Sequence, residues 1–395
     1  RCTFCHRWDK GIRYIPVDLI MTRIKEVIDR YDVGFISFGD ENFGTDKRWL
    51  AEFCEKISTL DILWQVAGMR VNCISTEYID LMQRSGCSAI FFGMETGSSK
   101  MLKIMEKKTT IEDNLNALQW TLERKLNTTV QLIIGMPGEN ADTIKETLEF
   151  ARFSTAIDPE RDPNLISINY AQALPGTPLY EFAREKGLIG VDPIDEEQYL
   201  LKISDKNASD EQDTLNFTDY PTVTCQSWRP LMEIHCNYNF AQKFGIEQYR
   251  KVVARNIGWI DKRWKTVGYH SKADTASQRH GYMDEIGSRN SYIRWPSLWS
   301  LLRKGNFVLA AKAYPFEAYY MRKFLPLFIL ILSYKKNGIN HTWRLLKEYV
   351  VYFIGRPEKK LEIVTEIQSL RKIVSENFNT SSDADLAMKP LRKGR

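Results

Sequence analysis

The first half of the chain alternates short apolar runs with amphipathic stretches, and this alternation is the strongest constraint on the fold. Runs rich in β-branched or aromatic residues predict five strands, over residues 33–38, 63–69, 89–92, 129–134 and 165–170. Apolar residues at helical spacing predict helices around them, over residues 16–30, 46–57, 76–84, 100–125 and 141–153. Because strands separated by helices pair through crossovers, the sequence predicts a parallel α/β sheet.

Two observations narrow this prediction. No G-x-G-x-x-G motif follows a strand, which argues against a dinucleotide-binding doubly wound sheet. The number of strand–helix units favours a partial (β/α)6 barrel whose first strand is expected before Arg1. In such barrels the working residues lie at the carboxyl ends of the strands, so these ends are the predicted place for a functional site.

Length and charge divide the chain into regions. The 395 residues are enough for one barrel of roughly 200–250 residues and a second region. Residues 241–395 carry 29 Lys and Arg against 13 Asp and Glu, whereas residues 1–240 carry 26 against 37. We therefore predict a core barrel over residues 1–190, an acidic loop or lid over 191–221, and a helical, basic, aromatic-rich region over 222–395.

Two predicted strand ends carry carboxylates. Gly39, Asp40 and Glu41 form a polar turn that suits a ligand's ammonium group, although a solvated loop would look the same. Glu95 precedes a small-residue turn that opens a helix, which suits hydroxyl groups or an anion, and the alternative is a capped helix start. Arg70, after another strand, is either a structural ion-pair partner or a clamp for a carboxylate.

Ile133 and Gly135 mark a third strand end, where flat apolar residues lie beside a tight Gly-Met-Pro-Gly turn. They suit packing on an aromatic base, and the alternative is simply a buried strand with its turn. The remaining chemical signal is Cys2 with Cys5. Their spacing alone leaves open a redox pair, a zinc half-site or chance. The other cysteines are scattered and are predicted to be small buried hydrophobes, at positions 54, 73, 87, 225 and 236.

Taken together, these motifs resemble the radical S-adenosylmethionine (SAM) superfamily, and more narrowly its branch with a cobalamin-binding domain ahead of the barrel. The resemblance covers about residues 1–190 and rests on residues 1–5, 38–43, 92–98, 134–139 and 175–178. The second and third cysteines of the family's C-x-x-x-C-x-x-C loop match Cys2 and Cys5. The first would lie three residues before Arg1, so the resemblance implies a chain truncated at its N-terminus, with an incomplete cluster site.

The resemblance also implies cofactors and residue roles. Three cysteines leave one iron of a [4Fe-4S] cluster open. SAM binds that iron, and an electron from the cluster cleaves its sulfonium to give a 5′-deoxyadenosyl radical. By this resemblance, Cys2 and Cys5 are metal ligands, and cobalamin is a further cofactor of the branch. The implied SAM contacts are Gly39, Asp40 and Glu41 to the methionine ammonium, Glu95 to the ribose or methionine end, and Ile133 with Gly135 to adenine.

The leading prediction is therefore a radical SAM enzyme that methylates or cyclises a substrate at an unactivated carbon with the help of cobalamin. One alternative is a radical SAM enzyme without cobalamin, resembling methylthiotransferases or oxidoreductases. Another class is a non-catalytic module that docks to a membrane or partner. The expected partners of the enzyme are a small-molecule substrate and a reductase or flavodoxin-type electron donor.

The basic rear region leaves three interpretations open. Arg322, Lys323, Lys335 and Lys336 flank an apolar run over residues 324–332 that is too short to span a bilayer. The segment suits an anionic membrane surface, a buried helix with a solvated basic rim, or an anionic or lipid-linked substrate. No nucleic-acid recognition module is present, so no nucleic-acid partner is expected. Sparse cysteines predict a cytoplasmic location. The basic segment adds the expectation of peripheral contact at the inner membrane face.

Overall fold

The computed structural model describes residues 2–5, 11–40, 42–190, 192–204, 214–257, 297–303 and 307–355. Its front half contains one sheet of five parallel strands whose spatial order follows the chain order. The strands are β1 (Phe35–Phe38), β2 (Leu63–Met69), β3 (Cys87–Glu95), β4 (Val130–Ile134) and β5 (Ile166–Tyr170). This confirms the predicted parallel α/β core.

The helices of the front half lie at nearly the predicted positions, with α1 before β1 and the others in the crossovers between strands. They are α1 (Val17–Tyr31), α2 (Lys47–Ile57), α3 (Thr76–Arg84), α4 (Ser99–Ile104), α5 (Ile111–Glu123) and α6 (Ala141–Thr155). Helices were expected over residues 100–125 without a boundary between them, and the structure has α4 and α5 there. The division has a local cause, because Thr110 forms a capping box with Asp113 that begins a new helix.

β3 is longer than predicted at both ends. The expected strand covered residues 89–92, whereas the observed one begins at Cys87 and ends at Glu95. The register with β4 shifts between Gly93 and Glu95, which marks an irregularity where β3 ends. The added positions include Ser88, Gly93 and Glu95, which do not continue the apolar pattern that predicted the strand. As a result, Glu95 belongs to the central strand of the sheet and not to the loop after it.

Part of the region expected to be an acidic loop is helical. After α7 (Pro178–Glu185), helix α8 covers Pro193–Ser204, with Asp195 and Glu196 in its first turn, where helices favour acidic residues. Tyr199 of α8 is buried and its hydroxyl donates to the Ala173 carbonyl over 2.8 Å. The loop prediction is therefore wrong for α8, and residues 205–213 lie outside the described part of the chain.

The described rear region is helical, as expected. Its helices are α9 (Thr222–Phe244), α10 (Ile246–Ile257), α11 (Leu298–Arg303), α12 (Phe307–Ala313), α13 (Pro315–Met321) and α14 (Leu325–Gly355). Helix α9 lies along the β5 side of the core. Near the carboxyl end of β5 the Tyr170 hydroxyl donates to the Gln226 carbonyl, and before β5 begins Asn164 accepts from Asn237.

Helix α14 is a hairpin of two arms. Gly338 breaks it with a φ of 79°, a left-handed value that glycine adopts without steric cost. The Thr342 hydroxyl reaches the Ser333 hydroxyl over 3.3 Å, a contact that two residues nine positions apart make only when the chain folds back. None of the described helices combines the length and apolar character needed to cross a membrane.

Two apolar clusters organise the front half. The larger one packs the outer helices against the sheet and includes Trp64, Leu132 and Ile134. The second joins α4, the residues after β4 and β5, and helices α7 and α8. Because its members follow the carboxyl ends of strands, this second cluster lies beside the predicted functional site.

Candidate functional site at the carboxyl ends of the strands

The Cys2–Cys5 loop is anchored by Thr3. The Thr3 amide donates to the Met105 carbonyl over 3.0 Å, and its buried hydroxyl donates to the Ile104 carbonyl over 3.1 Å. The Thr3 carbonyl in turn accepts from the Leu179 amide over 3.0 Å. Three hydrogen bonds therefore fix Thr3, the first of the two residues between the cysteines, to the end of α4 and the start of α7. Both of these lie on the carboxyl side of the sheet.

Phe4 joins this loop to the fourth strand. Its ring packs on the second apolar cluster, which also contains Met136 and is contacted by Ile133. Phe4 and Ile133 thus pack on the same cluster, although the sequence drew attention to them for different reasons. The structure brings the predicted cluster loop and the predicted base-binding strand end into the same part of the molecule.

The polar loop after β1 is open to solvent. Gly39 and Asp40 are exposed, and a methyl group added at Gly39 would meet no atom within 4 Å. The loop is held from its far side, where the Asn42 side chain accepts from the Arg70 amide over 3.3 Å and Phe43 is buried. Glu41 lies outside the described residues. Gly39 and Asp40 are therefore accessible to a ligand.

Glu95 makes a buried ion pair. Its Oε1 lies 2.5 Å from Nζ of Lys107, and each side chain is about 10% exposed. Glu95 has a φ of 64°, in the left-handed region that non-glycine residues seldom occupy, especially where the chain is ordered in a strand. Such strained positions persist where the surroundings enforce them and cluster at functional sites.

The surroundings of the pair explain how it is enforced. A Cβ on Gly93 would lie 2.5 Å from Glu95 Oε1 and 3.0 Å from Lys107 Nζ, so a side chain at this position would displace the pair. From the β2 end, Nη2 of Arg70 donates to the Lys107 carbonyl over 2.5 Å, and the Asn72 amide donates to the Lys108 carbonyl over 3.2 Å. Arg70 therefore supports the turn that delivers Lys107, which favours the structural interpretation of this arginine.

The small-residue turn after Glu95 is closely packed. Thr96 and Thr147 share a buried hydrogen bond of 2.8 Å, and the amide of Gly97 donates to the Thr147 hydroxyl. A Cβ on Gly97 would come within 2.8 Å of the Glu146 carbonyl oxygen. Helix α4, which follows, has only six residues. The turn therefore serves packing against α6, and the structure gives no support to an anion site at this helix start.

Glu139 is a buried residue whose role the sequence reasoning missed. Its Oε2 accepts from the Gly135 amide and from the Met136 amide, the latter over 3.2 Å, so it closes the turn after β4. Burial raises the pKa of Glu139 to about 8, although the two amide donors act in the opposite direction. The available signal was a glutamate directly after a Gly-Met-Pro-Gly turn, where an acceptor is needed for the turn's free amides.

The cysteine chemistry fits a metal group only at the first loop. Cys54, Cys87, Cys225 and Cys236 are buried, and burial raises the pKa of each thiol, that of Cys54 to about 11. Protonated, buried thiols are poor metal ligands, so these four behave as the small hydrophobes that were predicted. Cys73 is half-buried, so the prediction of a buried cysteine is wrong at this position.

Cys2 is half-buried and Cys5 exposed, on a loop whose middle residue is fixed. Two accessible thiols at this spacing suit neighbouring irons of a cluster. Within the described ranges, no group of three His, Cys, Asp or Glu residues is placed to hold a metal ion. The loop thus fits two ligands of a [4Fe-4S] cluster, and a third would have to come from elsewhere.

Comparison with known proteins identifies the front half. Residues 1–151 match the family model described as the Radical SAM superfamily. The chain therefore carries a radical SAM domain, which confirms the resemblance inferred from the motifs. Enzymes of this superfamily use a [4Fe-4S] cluster and SAM.

Two curated relatives align with the same half. An anaerobic magnesium-protoporphyrin IX monomethyl ester cyclase of Rubrivivax gelatinosus is 28% identical over 156 residues, which are 38% of this chain and 28% of the cyclase. An uncharacterized methyltransferase of Pyrococcus horikoshii is 26% identical over 193 residues, 48% of this chain and 40% of that protein. The chain therefore matches less than half the length of either relative.

A solved structure of the radical SAM methyltransferase TsrM from Kitasatospora setae, with cobalamin and a [4Fe-4S] cluster bound, overlaps more loosely. It has a TM-score of 0.41 and 20% sequence identity, and the overlap covers 49% of this chain and 39% of that one.

Proposed function

We propose that this protein generates a 5′-deoxyadenosyl radical from SAM and uses it to methylate or cyclise a small-molecule substrate at an unactivated carbon, with cobalamin as a further cofactor. The observation that supports the site is the anchoring of Thr3. It fixes the Cys2–Cys5 loop to the end of α4 and the start of α7, where Phe4 packs on the apolar cluster that Ile133 also contacts. Within this proposal, Cys2 and Cys5 hold two irons of the cluster.

The other residues of the chain bind and orient. Gly39, Asp40 and Glu41 would receive the methionine ammonium, for which the exposed carboxylate of Asp40 and the open space at Gly39 are suitable. Ile133 and Gly135 would lie against adenine, with the apolar side of Ile133 excluding water from it. When bound, the cluster and SAM supply an electron and a radical precursor.

Glu95 would accept hydrogen bonds from the hydroxyls of the SAM ribose or from its methionine end. Lys107 occupies Oε1 of this carboxylate. The ion pair fixes the direction of the carboxylate. Within this proposal, a donor from the ligand would bond to the other oxygen, Oε2.

A second candidate function is a radical SAM reaction without cobalamin, of the methylthiotransferase or oxidoreductase kind, because no residue of the described site requires cobalamin. The two differ in one observation: purified full-length protein binds cobalamin only in the first case. The proposal also includes an anionic or lipid-linked substrate, a reductase or flavodoxin-type electron donor, and a cytoplasmic location at the inner membrane face.

The test is the formation of 5′-deoxyadenosine. Full-length protein, reconstituted anaerobically with iron and sulfide and reduced with dithionite, is expected to cleave SAM to 5′-deoxyadenosine. Cys5→Ala should abolish this product, because one iron loses its ligand. Cys236→Ala, which changes a buried cysteine on α9, should retain it. Absence of the product from the wild type, or its persistence in Cys5→Ala, would reject the proposed function.

A further inference from the structure

The hairpin α14 exposes large apolar side chains along both of its arms. On the first arm, before Gly338, the exposed apolar residues recur at helical spacing. On the second arm, after Gly338, they also recur at this spacing, and Lys347 lies among them. The set, here called the outer face, consists of Phe324, Leu327, Ile331, Tyr334, Trp343, Val350 and Ile354, each at least 40% exposed, with Ile354 at 78%. Contiguous apolar patches of this extent mark interaction sites in soluble proteins.

The opposite side of the hairpin is its packing side. Leu325, Ile329 and Ser333 are buried on the first arm and Leu345 on the second. Ile329 and Leu345 meet Val223 at the start of α9, where Glu348 also accepts from the Thr222 amide over 3.0 Å. Because both arms bury this side against α9, their exposed stripes both point away from the rest of the described protein.

The charges around the outer face have one sign. Between Ala318 and Lys347 the sequence contains six basic residues and no acidic residue. Lys323, Lys335, Arg344 and Lys347 are exposed beside the apolar stripes. A second copy of the chain docked through the same face would place positive charges against positive charges, which disfavours a symmetric dimer. An anionic surface matches the charge instead.

We infer that the outer face of α14 binds the surface of an anionic lipid bilayer. Interfacial helices combine an apolar stripe with flanking Lys and Arg, and Trp and Tyr favour the headgroup level. The first arm is only about 20 Å long at 1.5 Å per residue, against roughly 30 Å of hydrocarbon. The hairpin would therefore lie on the surface without crossing it. This inference does not depend on the proposed reaction.

The first test is vesicle flotation of the full-length protein. We expect binding to phosphatidylcholine vesicles that contain phosphatidylglycerol, little binding to pure phosphatidylcholine, and weakening by salt. Lys323→Glu/Arg344→Glu/Lys347→Glu should weaken binding at least about tenfold, because each basic residue near the surface contributes measurably. Arg23→Glu/Lys25→Glu/Lys145→Glu, on exposed positions of the front half, makes the same change in net charge and should leave binding within about twofold of wild type.

The second test reads the contact directly and does not require charge reversal. Brominated lipids in anionic vesicles should quench the fluorescence of Trp343, and Trp343→Phe should lose that quenching while it still floats with the vesicles. Equal flotation of the two charge variants would overturn the inference. So would equal binding to neutral vesicles, or a wild-type dimer in sedimentation equilibrium that Ile331→Gln/Ile354→Gln converts to a monomer.

Discussion

The two halves of the molecule depart from ordinary globular packing in opposite ways. The front half buries polar groups that would be cheaper to leave in water, such as Glu95, Lys107 and Glu139. The rear half leaves Trp343 and Ile354 uncovered where burial would stabilise the fold. Buried charges at strand ends indicate a site for a small ligand, whereas uncovered apolar side chains indicate a surface for a partner.

The largest expected effect concerns the buried ion pair. Lys107→Met should lower the free energy of unfolding by about 3 kcal/mol, because removing one partner leaves a buried carboxylate unpaired. The matched double variant Lys107→Met/Glu95→Gln should recover a large part of that loss. Urea denaturation of wild type, both single variants and the double variant gives the coupling energy. Additive effects would show that the pair contributes nothing beyond its two side chains.

The next effect tests whether Glu139 is protonated when folded. The ordinary pKa of a glutamate carboxyl is 4.5, and burial raises the pKa of Glu139 to about 8 in the folded protein. Between these values the folded state holds a proton that the unfolded state has released, so stability is fully present below pH 4.5 and declines as pH rises to about 8. From pH 5 to pH 8 this contributes a loss of about 2 to 4 kcal/mol.

Glu139→Gln keeps an acceptor for the two turn amides and cannot titrate. Wild type should therefore lose stability relative to the variant between pH 5 and pH 8. Urea denaturation of both proteins across this range measures the difference in their unfolding free energies. Asp142→Asn makes the same carboxylate-to-amide change at an exposed position in the first turn of α6 and serves as the control. A pH-independent difference for Glu139→Gln would show that the carboxylate stays ionised.

The smallest effect belongs to the rear half. Trp343→Gln should change the free energy of unfolding by no more than about 0.5 kcal/mol, because its side chain is 65% exposed and contributes little to the core. Thermal or urea denaturation measures this. Leu345→Gln, on the buried side of the same arm, should be strongly destabilising. A large loss in Trp343→Gln would mean that the outer face is covered by the protein itself.

Much of the front half could be predicted because its signals are local. The period of apolar residues located every strand, and β2 (Leu63–Met69) and α3 (Thr76–Arg84) begin and end where predicted. The end of β3 could not be read in this way, because Glu95 is paired with Leu132 of β4 and its side chain is held by Lys107, which Arg70 supports. These residues are distant in sequence, and pairing between them is a property of the tertiary structure.

The site was predicted as a set of strand ends, and its supporting contacts were not foreseen. Gly39, Asp40, Glu95, Ile133, Gly135 and the two cysteines of the first loop remain predicted ligand contacts. Nothing in the spacing of Cys2 and Cys5 indicates that Thr3 between them bonds to Met105 and Leu179. Helix α8, after the predicted core barrel, was missed because a run of acidic residues is typical of both exposed loops and helix starts.

The claim that the front half forms the radical and the rear half binds a surface is tested most directly by one measurement. This is the amount of 5′-deoxyadenosine that reconstituted full-length protein forms in the absence of lipid. We expect Lys323→Glu/Arg344→Glu/Lys347→Glu to form as much as wild type, and Cys5→Ala to form none. If the triple variant of α14 is folded but forms no 5′-deoxyadenosine, the two halves are not independent. If Cys5→Ala retains it, the site is not at the carboxyl ends of the strands.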